Sequence, residues 1–216
     1  MVVSSKKVLF LDQLDSFTYN ITDMLIALGA TVSVVDAEEL GLRFSINNSD
    51  ERRQYLCDLV NDHDAIVLGP GPGKPSDYCY FNEILAMVEL QPKPVLGICL
   101  GLQAIAEYFG WEVIHAISAK HGKQDGVVHR GSGLFQNVKN PMKVGRYHSL
   151  VVSPKDIKNI LLGDKNGGLE VIGMTALAEV MALKHDVLPI AAVQFHPESV
   201  LTPEGKILLS NWLRLI

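Results

Sequence analysis

The stretch PVLGICLGLQAIAEYFG, residues 94–110, sets a thiol on a bend. A short apolar run ends at Cys99, glycines stand two residues to either side of it at Gly97 and Gly101, and a helical pattern begins at once. Gly97-Ile98-Cys99-Leu100-Gly101 has the G-x-nucleophile-x-G form of a nucleophile elbow. Such a strand-to-helix turn forces its central residue into a strained backbone, and its glycines let neighbouring chain approach closely. The side chain is left exposed at the carboxyl end of a sheet, where open α/β folds place their sites. The helix N-terminus behind it favours thiolate over thiol and aims the Leu100 N–H where an oxyanion could form. The plain alternative for Cys99 is a small buried hydrophobe, as most free cysteines are. Cys57, on a helical stretch, and Cys79, in a loop, lack such a frame and keep only the plain reading.

A thiol nucleophile needs a base, and the base needs an orienter. Of the seven histidines, His196 stands out, in VQFHPES (193–199). It follows an apolar strand pattern, and Pro197 is expected to hold the chain extended, placing His196 and Glu198 on one side of a strand end. A glutamate there can fix the imidazole tautomer and stabilise the imidazolium. The alternative is a surface His-Pro-Glu turn. His63, His115, His121, His129 and His185 show no comparable acidic or glycine framing, and no His/Cys/Asp set has metal-ligand spacing, so no metal is expected. The loop LGPGPGKPSD (68–77) fits neither G-x-x-x-x-G-K-[ST] nor G-x-G-x-x-G in register. It reads as a rigid loop, neither helix nor strand, in which Gly71 and Gly73 can present bare backbone to a ligand; a plain turn is the alternative.

The elements that must position these residues follow from hydrophobic periodicity. KKVLFLD (6–12), TVSVVDA (31–37), AIVLG (65–69) and PVLGI (94–98) read as strands. Helices are expected between them. One lies over SFTYNITDMLIALG, with Ser16 as a cap, Ile21, Met24, Leu25 and Leu28 on one face and Gly29 at its end; another is marked by Tyr55, Leu56, Leu59 and Val60; a third is FNEILAMVEL (81–90). Residues 41–49 read as a polar loop. Strand and helix alternate, which predicts a mostly parallel open sheet with helices on both faces. After residue 168, LEVIGMTA, EVMALKH and PIAAVQF are short strand patterns separated by turn residues, DKNGG preceding them, and suggest antiparallel additions. The expected fold class is therefore α/β, flavodoxin-like, with antiparallel C-terminal strands, in one domain over 1–216.

Bulk composition narrows the classes. Hydrophobic residues make up 48% and charged residues 20% of the 216, an ordinary globular balance. A net charge of −5 argues against a nucleic-acid scaffold. No apolar run approaches the roughly 18 residues of a membrane span, and the start, MVVSSKKVLFLD, reads as a first strand rather than a signal peptide. Three cysteines without paired spacing are no disulfide framework, so a cytoplasmic location is expected.

GPGPGKP, GICLGLQAI, RYHSL and QFHPES occur in that order, and together they resemble the class I (triad) glutamine amidotransferase domain. DQLDSFTYN (12–20) is similar to the entry motif of the small subunits that serve chorismate-using synthases, namely anthranilate synthase component II and its counterpart in aminodeoxychorismate synthase. The resemblance spans essentially the whole chain. It implies that Cys99 is the nucleophile, His196 the general base and acid, and Glu198 its orienter. It implies an oxyanion hole from the Gly71 and Leu100 N–H groups, and L-glutamine held by Gly71, Pro72, Gly73, Gln103, Ser149 and Leu150. Gln103, one helical turn beyond Cys99, shares its face, although a solvated glutamine is the bland alternative. It further implies a heteromer with a chorismate-using large subunit that receives the ammonia, no cofactor in this chain, and Mg2+ in the partner.

Departures from the family pattern stand at Gln13, usually Asn; at Gln124-Asp125, usually Thr-Ser; and at Leu102, often His or Met. They are expected to touch neither the triad nor the glutamine contacts and to bear on coupling to the partner. The motifs leave the tryptophan and folate branches both open. Two other readings stand beside these: a thiol hydrolase of γ-glutamyl peptides, against which DQLDSFTYN and RYHSL argue, and a non-catalytic regulatory subunit, against which the intact Cys99, His196 and Glu198 argue.

Overall fold

The computed structural model describes residues 5–44, 49–153 and 166–216. Nine strands among them form one sheet. Its first five, in spatial order, are β2 (Thr31–Asp36), β1 (Lys7–Asp12), β3 (Ala65–Leu68), β4 (Val95–Ile98) and β9 (Ile190–Val193). All four pairings in this half are parallel, in the order of flavodoxin-like sheets.

The strand sequences explain this placement. β3, β4 and β9 are buried at every position, as strands covered on both faces must be. Alternate side chains part to opposite faces. Val8, Phe10, Val67, Leu96, Ile98 and Val193 meet α1 (Thr18–Ala27) and α6 (Gly205–Leu213), through Ile21, Leu25, Leu208 and Trp212. Leu9, Leu11, Ile66, Leu68, Val95 and Ala192 meet the other layer. That layer is built by α2 (Ala37–Phe44), α3 (Ser49–Asn61), α4 (Tyr80–Leu90) and α5 (Leu100–Tyr108).

Beyond β9 the sheet turns antiparallel through β8 (Val180–His185), β7 (Leu169–Thr175) and β5 (Glu112–His129), with β6 (Met142–Ser153) outermost. β5 and β6 form a long hairpin paired from Glu112↔Ser153 to Val127↔Met142, with register shifts near Lys120. The sheet curls so that Gly145 of β6 bridges His196, just past β9.

Four local expectations need correction. Ser16 does not cap α1; Phe17 precedes the helix without a side-chain cap, and Asp12 and Asp15 accept the nearby Asp15 and Phe17 N–H groups instead. Residues 41–44 belong to α2, not to a loop, because Leu40 buries its side chain completely while acidic Glu38 and Glu39 suit a helix start; positions 45–48 fall outside the described residues. β9 is no antiparallel addition but a parallel neighbour of β4, antiparallel only toward β8. The glycine-proline loop carries one short 3-10 turn, Pro75–Asp77. Of DKNGG, 164 and 165 lie outside the described residues.

Candidate active site

Cys99 sits where β4 passes into α5, with φ 54° and ψ −101°. A left-handed φ on a non-glycine residue costs about 1–3 kcal/mol and persists only where the surroundings impose it. Here they do. The Cys99 N–H donates to Val193 O at 2.8 Å, its carbonyl accepts from Gln103 N at 3.2 Å, and the turn is wedged against β3. A Cβ on Gly101 would collide with the Leu68 carbonyl oxygen, and one on Gly97 would lie 2.8 Å from the Gly101 carbonyl. The two glycines are thus required by close approach, as the elbow pattern predicts.

His196 reaches the sulfur from the end of β9. Its Nδ1 hydrogen-bonds to Glu198 Oε1 at 2.6 Å, and both side chains are almost fully buried. The two do not meet on an extended strand. A turn brings them together: Ser199 N donates to His196 O at 3.3 Å, and Thr202 Oγ1 donates to the same carbonyl at 2.7 Å. Pro197 is clamped there by Gly205, whose missing side chain admits the Pro197 carbonyl. Burial alone would lower the His196 pKa; hydrogen bonds and charge at Cys99 and Glu198 outweigh it and hold the pKa well above its usual value. The protonated imidazole is therefore favoured beside the sulfur.

Cys99 opens onto a cavity of about 210 Å3. Gly71, Pro72 and Gly73 line one side and Leu100 and Gln103 the helix side, with Ser149 and Leu150 arriving from β6. Every residue expected to contact glutamine thus faces one space with the thiol, while His196 and Glu198 do not line it. Lys74 N donates to Asp77 Oδ2 at 3.0 Å and Tyr78 Oη to Pro72 O at 3.1 Å, which ties the Gly71–Gly73 loop in place. A larger apolar cavity of about 380 Å3 lies at the opposite end of the sheet, by Pro94 and Pro189, with no cysteine in its lining.

Residue periodicity did not single out several members of the site. Gln194, fully buried, donates from Nε2 to Cys99 Sγ at 3.6 Å and accepts from Gln103 Nε2 at 3.3 Å. It stands two residues before His196, so strand alternation was the available signal. Phe17 and Tyr147 set ring edges against the His196 imidazole at 6.0 and 5.2 Å. Both lie within motifs quoted above, but only the folded hairpin and the β1–α1 turn bring them to His196.

The departures fall closer to the site than expected at one position. Gln13 is fully buried and packs on Gly71, where a Cβ would strike the Gln13 side chain, so this departure does touch the glutamine-facing loop. Leu102 is buried in the apolar layer. Gln124 donates to Leu201 O at 2.9 Å, and Asp125 accepts from the buried Arg146 at 2.8 Å. Among the described residues no His/Cys/Asp/Glu group could hold a metal ion, and no helix is long and apolar enough to cross a membrane.

A thiol, an imidazolium and a carboxylate in line, opening on a small polar cavity, are suited to acyl transfer through sulfur on a small amide. On this doubly covered sheet, that places the protein in the class of thiol-dependent amide-cleaving enzymes. Residues 9–216 match the family model for glutamine amidotransferase class-I, and the chain belongs to that family. Anthranilate synthase component 2 of Leptospira biflexa is 37% identical over 210 residues, covering 96% of this chain and 98% of the relative. Aminodeoxychorismate synthase component 2 of Klebsiella aerogenes is 35% identical over 207 residues, covering 95% and 98%. A glutamine amidotransferase structure from Thermotoga maritima shares the fold, with TM-score 0.68 at 15% identity, covering 97% of each chain.

Proposed function

We propose that this chain is the glutaminase subunit of a chorismate-using synthase, that it releases ammonia from L-glutamine at Cys99, and that its partner is the large subunit of anthranilate synthase. The observation that carries the chemistry is the Cys99–His196–Glu198 line opening on the cavity shared by Gly71–Gly73, Gln103, Ser149 and Leu150. The assignment to the tryptophan branch rests on whole-length relatives named anthranilate synthase component 2. The Klebsiella relative supports a second reading, the folate branch, or a subunit shared by both.

In this mechanism the Cys99 thiolate attacks the side-chain amide carbon of glutamine. The N–H groups of Gly71 and Leu100 stabilise the tetrahedral oxyanion; losing one such donor would raise the barrier by about 3 kcal/mol. His196 gives its proton to the amide nitrogen, the C–N bond breaks, and ammonia leaves a γ-glutamyl thioester on Cys99. The neutral imidazole then takes a proton from water as the oxygen attacks the thioester, and glutamate departs with the thiolate restored. Glu198 holds the Nδ1–H and stabilises the imidazolium throughout. These steps use the chain's own side chains and backbone, without a cofactor; Mg2+ would belong to the synthase. Ammonia would pass to the partner through their interface, in the cytoplasm.

The test is glutamate formation from glutamine by the chain alone and with chorismate and each synthase large subunit in turn, with the aromatic product identified. Anthranilate formation with one subunit, abolished in Cys99→Ala, is expected. Aminodeoxychorismate alone would move the chain to the folate branch. No Cys99-dependent glutamate with either subunit would overturn the reading.

A further inference from the structure

Arg146 is fully buried inside the β5–β6 hairpin, and the reaction described above leaves it without a role. Its Nη1 donates to Asp125 Oδ2 at 2.8 Å and to Glu179 Oε2 at 2.7 Å, which offsets its charge. Its Nε lies 3.1 Å from His148 Nε2. A guanidinium only donates, so His148 Nε2 must accept and the neutral ring must carry its proton on Nδ1. That Nδ1–H meets the Leu150 carbonyl at 2.7 Å. The same carbonyl accepts from Gln103 Nε2 at 3.4 Å. The second Gln103 N–H goes to Gln194 Oε1, which turns the Gln194 amide nitrogen toward the Cys99 sulfur. Both amide orientations thus follow from one acceptor, the Leu150 carbonyl. Gln103 is left to offer its oxygen, and not its NH2 group, to a molecule in the cavity.

We propose that Arg146 and His148 are positioning residues for the glutamine site: Arg146 locks His148 in its Nδ1–H tautomer, and His148 holds the Leu150 carbonyl that orients Gln103 and Gln194. The proposal rests on the glutaminase reading and adds to it a specific link between an ion-pair cluster and substrate affinity. Burial and the Arg146 charge push the His148 pKa down to about 4, so the ring stays neutral across the working range. The charged and titratable groups facing His148 are Arg146 on its own strand, Glu179 from the β7–β8 turn and His196 after β9. Asp125, on β5, acts on it through Arg146.

The experiment compares His148→Asn, His148→Gln and Arg146→Lys for glutamine turnover, in the synthase complex if turnover requires it, with 15N NMR of the histidine rings. An asparagine amide nitrogen can occupy the place of imidazole Nδ1, whereas glutamine mimics Nε2. His148→Asn is expected to keep KM for glutamine within about twofold, while His148→Gln raises it about five- to tenfold, the size of one hydrogen bond. Lysine keeps the ion pairs, and so the fold, but has no second nitrogen for His148. Arg146→Lys is therefore expected to raise KM similarly with kcat little changed. NMR should show the Nδ1–H tautomer of His148 in the unsubstituted protein. The proposal is overturned if that ring is the Nε2–H tautomer, if the Asn and Gln variants behave alike, or if Arg146→Lys leaves KM unchanged. A protein without glutaminase activity fails the earlier reading instead, and the tautomer still decides this one.

Discussion

Glu198→Gln is the sharpest perturbation of the site because it removes a charge and little else. Glu198 meets His196 Nδ1 at 2.6 Å with its side chain fully buried, so solvent cannot substitute for it. Glutamine keeps an oxygen able to accept the same hydrogen bond. A hydrogen bond to a charged group contributes about 1.5–3 kcal/mol and a neutral one about 0.5–1.5 kcal/mol, so the exchange loses roughly 1–2 kcal/mol of imidazolium stabilisation. The Coulomb attraction of such a pair, at an effective dielectric near 20, approaches about 4 kcal/mol. The loss therefore falls at about 2–4 kcal/mol, and the rate should drop roughly 30- to 1000-fold. The Glu198 charge, one of the causes that raise the His196 pKa, is also lost, so the imidazole should release its proton at lower pH than before. Alkylation of Cys99 by iodoacetamide reads both effects on the isolated chain, from pH 5 to 9.5, and glutamate release reads them in the complex. A folded Glu198→Gln protein whose rates stay within threefold of the original, with the same pH profile, would refute this account of the triad.

Gly101→Ala should distort the elbow, since its Cβ meets the Leu68 carbonyl in a central strand that cannot yield. Overpacking of about 1–3 kcal/mol should lower Tm by about 2–12 °C in calorimetry and slow Cys99 alkylation. Thr202→Val should orphan the Gly145 N–H, which donates to Thr202 Oγ1 at 2.9 Å, and release one bond from His196 O. The expected cost is about 1–3 kcal/mol in denaturant melts, with loss of activity as His196 shifts. The two buried histidines should oppose each other in pH-dependent stability. The raised His196 pKa adds stability that is complete below about pH 6.5 and fades as pH rises through the folded value, whereas His148, near 4 when folded, loses stability as pH falls from about 6.5 toward 4. Tm measured from pH 4 to 9 should flatten on the acid side in His148→Asn and on the alkaline side in His196→Gln; unchanged curves would contradict both assignments.

The parts of this protein that are readable along the chain are those fixed by neighbours in sequence. The elbow is one: Gly97, Cys99 and Gly101 lie within five residues, and strand, strain and helix start all follow locally. The parallel strands are another, because burial on both faces leaves an unbroken apolar run in β1, β3 and β4. The β5–β6 hairpin is the opposite case. Its 18-residue first strand is mostly exposed, its 12-residue second strand is mostly buried, and register shifts interrupt their pairing, so no clean period of two marks them. Yet this hairpin delivers Tyr147, His148, Ser149 and Leu150 to the cavity, and only the family resemblance, not periodicity, pointed to Ser149 and Leu150.

Pairing across long separations explains what was missed in the site itself. Gln194 and Cys99 are 95 positions apart, and Arg146 and Glu179 are 33 apart, so neither contact leaves a local trace. A buried arginine is costly unless paired, and its partners come from β5 and from the β7–β8 turn. The Asp125 departure from the family pattern thereby has a physical reason. It supplies a carboxylate to Arg146, with Lys120 as its own outer partner, on the strand that faces β6. A substitution expected to affect only coupling to another subunit thus sits three hydrogen-bonded steps from the Leu150 carbonyl, through Arg146 and His148. A perturbation of the Lys120–Asp125 pair on β5 is therefore expected to reach the glutamine cavity along that line of hydrogen bonds.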